Sequence, residues 1–133
     1  SAVVALRVVK YVPDLGAALG ELSRVAAPGA PVVFDVANAN SLARFGYHGS
    51  PMGFTTMPLL RAQSISAGLD LRAMHDGPRL PHAVVARARS EAADAVIVAI
   101  ERKLARLLGP GRGARSIIVS AQRPTTRLRL VQD

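Results

Sequence analysis

Cysteine is absent from the 133 residues, which excludes disulfide bonds, thiolate metal ligands and a cysteine nucleophile from this sequence. No stretch approaches the roughly 20 apolar residues that a membrane-spanning helix needs. No basic and apolar leader opens the sequence either. These absences predict a cytoplasmic protein that does not span a membrane.

Aromatic residues and lysine are scarce. The sequence has two Tyr, three Phe and no Trp, and its lysines are Lys10 and Lys103. The net charge of +8 therefore comes almost entirely from arginine. Such a charge favours an anionic partner such as nucleic acid, but aromatic platforms for stacking bases are few. A coding bias that enriches Ala, Arg, Gly, Leu and Val together explains the charge better, and we expect no specific nucleic-acid partner.

The N-terminal segment has the pattern of a strand, a helix and a second strand. Residues 2–6 and 31–36 are short apolar runs typical of strands buried on both faces. Between them Asp14 is a candidate helix N-cap, and Pro28-Gly29 ends the helix. Two buried strands joined by one helix form a right-handed unit with parallel strands.

The ends of these two strands predict where a ligand binds. In open parallel sheets, ligands bind beyond the carboxyl ends of the strands. The predicted binding loops are therefore residues 6–12 and 38–42. The longer stretch 38–58 is rich in glycine and asparagine, and it is either a lid over a ligand or an ordinary surface excursion.

The remaining sequence alternates helical and extended patterns. It predicts a helix over 57–67, a half-exposed strand over 69–75, a helix over 90–108 and a last strand over 116–121. The helix over 90–108 carries an apolar stripe, which we expect to pack on the sheet; a membrane-surface role is the alternative. Residues 1–123 are predicted to form one domain, and 124–133 a flexible tail.

A series of short motifs runs through the N-terminal segment. They are VVAL at 3–6, VPD at 12–14, L..L.RV at 19–25, PG at 28–29 and VVF at 32–34. In this order they resemble the C-terminal half of class I S-adenosylmethionine-dependent methyltransferases. Within this family they look like the small-molecule enzymes related to ubiquinone and menaquinone biosynthesis methyltransferases. The sequence departs from the family pattern at Ala30, where the family has a second glycine, and at Lys10-Tyr11, where an acidic residue and a histidine are frequent.

The resemblance implies the fold class and the activity. The fold is α/β, a partial Rossmann-like arrangement with a mostly parallel sheet made of the family's strands four to seven and flanking helices. The activity is transfer of a methyl group from S-adenosylmethionine to a small organic acceptor. By position in the family, Ala5, Leu6 and Arg7 lie close to the methionine part of the cofactor.

The resemblance also implies catalytic and substrate-binding residues. Tyr11 and His82 are the predicted catalytic residues, and Lys10 and Asn38 the predicted substrate-binding residues. An equally favoured alternative is that Tyr11 only packs against the start of the helix. Lys10 beside a sulfonium is unfavourable unless a carboxylate offsets its charge or the substrate is anionic.

The histidines do not form a metal site. His48, His75 and His82 share no ligand spacing, so no metal is predicted. Each is a candidate general base, and His82 is preferred because Pro81 and its loop are expected near the methyl-transfer chamber.

A glycine-rich cofactor turn is missing. The only similar spacing, GPGRG at 109–113, follows a helix rather than a strand and is therefore interpreted as a helix stop. The sequence thus corresponds to a half that lacks the family's first three strands, and the isolated chain is predicted to be inactive. The alternative function is a non-catalytic half-domain that acts as a structural or regulatory subunit. Either way, the predicted partner is a complementary N-terminal half or another copy of the chain.

Overall fold

A computed structural model describes residues 1–41, 44 and 52–125, except for the side chains of His82 and Ala83. The predicted tail therefore lies outside the described residues from position 126 onward. Most of the stretch predicted to be a lid or a surface excursion, 42–43 and 45–51, also lies outside them.

The N-terminal strand–helix–strand unit is confirmed. Strand β1 spans Val3–Ala5, helix α1 spans Leu15–Val25 and strand β2 spans Pro31–Asn38. Asp14 caps α1, because its Oδ1 accepts a hydrogen bond from the backbone N–H of Ala17 at 3.0 Å. The strands β1 and β2 pair in parallel, as the crossover helix requires.

The rest of the chain completes a mixed sheet. Its elements are β3 (Phe54–Thr55), α2 (Met57–Ser66), β4 (Asp70–Asp76), α3 (His82–Val85), α4 (Glu91–Leu108) and β5 (Ser116–Gln122). The strand order is β1-β2-β5-β4, and β3 pairs with β2 off this path. Because β5 pairs antiparallel with both β2 and β4, the other strands share one direction. The sheet is therefore mixed, with β5 as the reversed strand among those described.

The hydrophobic core lies on one face of this sheet. Alternate residues of β2 and β5 are almost fully buried there, as period-two strands require, and they include Phe34, Ile117 and Val119. Leu19 of α1 and Leu60 of α2 are also fully buried and belong to the same cluster. Both helices therefore cover the same face of the sheet.

The opposite face of the sheet is exposed at β1 and β5 and buried at Asp35 and Ala37 of β2. The prediction that residues 2–6 are buried on both faces is wrong, because β1 is an edge strand of the described sheet and none of its residues is fully buried. Val4 of β1 is 63% exposed and Ile118 of β5 is 39% exposed, and both lie on the face away from the core. Within the described residues, β1 pairs only with β2, so its outer backbone groups have no strand partner. An apolar strand edge of this kind favours pairing with another chain.

Helix α4 corrects one prediction. Its bounds are close to those predicted, and Ser90 caps it by accepting a hydrogen bond from the N–H of Ala93 at 3.2 Å. The expected packing on the sheet is wrong, because no residue of α4 is buried. Glu101 instead ties α4 to the preceding loop by accepting hydrogen bonds from the backbone N–H groups of Arg79 and Leu80. Among the described helices, none is long and apolar enough to cross a membrane.

Candidate functional site

The carboxyl ends of β1 and β2 meet at one edge of the sheet. A 3-10 turn at Val9–Tyr11 follows β1. The backbone N–H of Gly53 donates to the carbonyl of Lys10 at 2.7 Å, and that of Ala39 donates to the carbonyl of Thr55 at 2.8 Å. These bonds bring the loop after β1, the end of β2 and strand β3 together, at the position where parallel sheets bind ligands.

A cleft of about 360 Å³ lies between these segments. This volume falls in the range of small-molecule sites, roughly 300 to 1,000 Å³. Its lining combines apolar residues such as Val9 and Leu15 with polar ones, including Lys10, Asp14 and Gln63. The Oε1 atom of Gln63 is buried and has no hydrogen-bond partner among the described residues. A cleft that combines apolar walls with a few polar groups suits a small organic molecule.

Asp35 of β2 contacts the loop that carries Lys10, one of the residues lining the cleft. Asp35 is only 6% exposed although it lies within an apolar strand. Its carboxylate accepts a hydrogen bond from the backbone N–H of Arg7, and Lys10 Nζ lies 3.4 Å from its Oδ2. Asp35 thus connects the middle of β2 to the loop after β1 and offsets the charge of Lys10.

Arg7 takes an uncommon backbone conformation in that loop. Its φ is 58°, the single positive value among the described non-glycine residues. Left-handed backbone is unfavourable for a residue with a Cβ atom. The hydrogen bond to Asp35 holds the conformation, so the carboxylate shapes the segment predicted to border the cofactor.

The other residues predicted for the cofactor and the chamber follow the same loop. Ala5 is half-buried at the end of β1, and Leu6 is 47% exposed. Tyr11 is 48% exposed, and Lys10 Nζ lies 5.6 Å from the centroid of its ring. The structure therefore gathers Leu6, Arg7, Lys10 and Tyr11 on one loop, and their roles stay predictions.

Asn38 is placed differently from these residues. It is fully buried, and its Nδ2 donates to the carbonyls of Gly111 and Ala114 at 2.7 and 2.9 Å. Its Oδ1 accepts from the N–H of Asn40 at 3.0 Å. These bonds use both amide protons in holding the turn before β5, and the predicted role in substrate binding stays a prediction.

The glycine-rich turn at 109–113 is a structural connection. Gly109, Gly111 and Gly113 all have positive φ, which glycine adopts readily. Asp76 accepts from the N–H of Gly111, and the buried Arg79 donates to the carbonyls of Gly109 and Arg112. Because this turn follows α4 and is held by side chains of the fold, it does not provide a cradle for a nucleoside cofactor.

Within the described structure, no histidine side chain is placed at the cleft as a general base. His82 begins α3, but its side chain lies outside the described part, and His48 lies outside it altogether. His75 is exposed on β4. No group of three potential metal-ligating residues occurs among the residues that the structure describes.

Asp35 and Gln63 are the residues that sequence reasoning missed. A carboxylate inside the apolar run 32–36 was a usable signal for Asp35, because buried carboxylates need partners. Gln63 gave no signal, since a glutamine on a helix is usually exposed.

We expect Asp35→Asn to lower the free energy of unfolding by about 1–3 kcal/mol, because Lys10 loses its partner in a largely buried site. The control is Asp70→Asn, which breaks an exposed ion pair with Arg72 and should change stability by less than about 1 kcal/mol. Urea unfolding in dilute solution measures both. An equal decrease in the free energy of unfolding in the two variants would show that the Asp35–Lys10 pair contributes no more to stability than an exposed ion pair.

Comparison with known proteins supports the fold. No protein-family model matches the sequence, and no curated protein does. A solved S-adenosylmethionine-dependent methyltransferase from Mesorhizobium loti is 13% identical with a TM-score of 0.58, and the match covers 90% of this chain and 60% of that one. An N-methyltransferase from Haemonchus contortus, bound to phosphomonomethylethanolamine and S-adenosylhomocysteine, is 12% identical with a TM-score of 0.53, covering 93% and 33%.

The same fold also occurs in a different enzyme. The [4+2]-cyclase SpnF is 18% identical with a TM-score of 0.52, and the match covers 93% of this chain and 49% of the cyclase. The chain therefore spans 60% or less of each of these three structures. At such identities the likeness establishes the architecture, and the predicted ubiquinone-type branch stays a prediction. This chain has a partial Rossmann-like fold similar to that of class I S-adenosylmethionine-dependent methyltransferases.

Proposed function

We propose that this chain is the acceptor-side half of an S-adenosylmethionine-dependent methyltransferase that methylates a small organic acceptor. The observation that carries the proposal is the cleft beyond the carboxyl ends of β1 and β2, in a fold similar to that of such enzymes. Its volume and its mixture of apolar and polar lining residues suit a small molecule.

The cofactor needs residues that this chain does not supply. When bound, S-adenosylmethionine supplies an electrophilic methyl group on a sulfonium. Of the described residues, Ala5, Leu6 and Arg7 would form the rim of the cofactor site. The described residues do not fit the nucleoside part of the cofactor, because the glycine turn at 109–113 already forms hydrogen bonds with Asn38 and Asp76. A complementary N-terminal half, linked to this chain or separate, would provide the glycine-rich pocket.

The ion pair between Lys10 and Asp35 makes the rim compatible with a cationic cofactor. An unpaired ammonium close to a sulfonium would be repelled, since like charges disfavour each other at short range. The carboxylate at 3.4 Å offsets that charge. Tyr11 and His82 remain the proposed catalytic residues, and Lys10 and Asn38 the proposed substrate-binding residues.

A second candidate is a non-catalytic half-domain that pairs with another chain. It is favoured by the edge of β1, which has no further strand partner among the described strands, and by the turn at 109–113, which is already hydrogen-bonded to Asp76.

One measurement distinguishes the two candidate functions, and it uses this chain joined to a complementary N-terminal half. Release of S-adenosylhomocysteine with a panel of small acceptors, reduced by Tyr11→Phe, supports the enzyme. Cofactor binding without release for any acceptor supports the subunit.

Binding to polynucleotides should be weak, non-specific and steeply dependent on salt. The net charge of +8 attracts phosphates. Added salt weakens binding, because the release of counterions from the nucleic acid is less favourable in a more concentrated salt solution. Fluorescence anisotropy with unrelated DNA and RNA duplexes at increasing salt measures it. Sequence-selective binding that persists at physiological salt would contradict the proposal that the charge has no specific nucleic-acid role.

A further inference from the structure

Helix α4 presents a row of large apolar side chains to solvent. Val96, Ile100 and Leu107 are 58%, 42% and 72% exposed, and their helical spacing places them on one side of α4. Next to this row, Ile97, Leu104 and Leu108 are only half-buried. The apolar stripe is therefore broad, and the described part of the chain covers it incompletely.

Cationic residues of α4 lie within and beside this stripe. Lys103 lies in the exposed row between Ile100 and Leu107, and Arg102 and Arg106 are exposed in the same half of the helix. The carboxylate of Glu101 is turned toward the chain, where it accepts the N–H groups of Arg79 and Leu80 at 2.8 and 2.6 Å. The outward surface of this half of α4 is thus apolar and cationic.

We infer that α4 binds the surface of an anionic lipid bilayer. Helices that lie in the membrane interface combine a broad apolar side with nearby Lys and Arg, as α4 does in its C-terminal half. Long cationic side chains keep their charge in the headgroup region while their stems remain among apolar groups. Each cation near an anionic leaflet adds to the attraction.

A second copy of the chain suits this face less well. In a parallel pairing of two copies through the row, the cations at positions 102, 103 and 106 of both helices would meet at one interface, where like charges repel. An anionic surface instead complements them. The inference concerns a different surface from the cleft, so it does not depend on the proposed methyl transfer.

Vesicle flotation of the full chain tests the inference. The probes are vesicles of equal parts phosphatidylglycerol and phosphatidylcholine, and vesicles of phosphatidylcholine alone. Flotation is suitable because lipid-bound protein rises whereas aggregated protein sinks. The test variant is Ile100→Asp, and the control is Val98→Asp, which changes a similarly exposed residue, at 46%, on another side of the helix.

We expect the unchanged chain to float with the anionic vesicles and to be released by high salt. Ile100→Asp should lower the partition coefficient by about tenfold, and Val98→Asp should leave it nearly unchanged. Leu107→Glu provides a second variant in the row, and circular dichroism checks that all variants remain folded.

Three results would overturn the inference. One is equal flotation with the two kinds of vesicle, and another is equal loss in Ile100→Asp and Val98→Asp. The third is loss of self-association in Ile100→Asp without vesicles, which would assign the face to a second copy.

Discussion

The isolated chain is expected to self-associate in solution, and Val4→Lys is expected to suppress that association. Val4 lies in the middle of β1, which pairs only with β2 among the described strands, and its side chain is 63% exposed. A short apolar strand with an open edge offers backbone groups to another chain, and an edge lysine opposes such pairing. The variant should therefore shift the chain from oligomers toward monomers.

Light scattering over a range of protein concentrations measures this shift. The matched control is Val25→Lys, which adds the same charge at a residue that is 55% exposed and lies at the end of α1, outside the strands. The control should continue to self-associate. A stable monomer of the unchanged chain at high concentration, with a cooperative thermal transition, would show that the edge at β1 is closed and that the predicted association is wrong.

Local patterns predicted the elements well because the physical causes are local. The helix after Asp14 begins with the predicted side-chain cap, and Ser90 caps the helix predicted over 90–108 in the same way, since a cap depends on a few neighbouring residues. The apolar run 31–36 forms most of β2, and its residues from Phe34 to Val36 are buried as predicted. A short apolar run of this kind is readable from a single sequence.

Long-range packing was harder to predict. The apolar stripe of α4 shows that the helix has an apolar side, but not what lies against it, and the expected packing on the sheet was wrong. The hydrogen bonds from Asn38 to Gly111 and Ala114 join residues more than seventy positions apart, and no local sequence pattern predicts that pairing. The connection of Asp35 to Arg7 and Lys10 depends likewise on how β1 lies beside β2.

Calorimetric titration of the isolated chain with S-adenosylmethionine tests the central claim most directly. Ala5, Leu6 and Arg7 are proposed to form only the rim of the cofactor site, and the glycine turn at 109–113 is hydrogen-bonded to Asn38 and Asp76. We therefore predict no measurable binding to the isolated chain and binding after a complementary glycine-rich half is added. Micromolar affinity for the isolated chain would contradict the account, because the described half would then form a cofactor site without that partner.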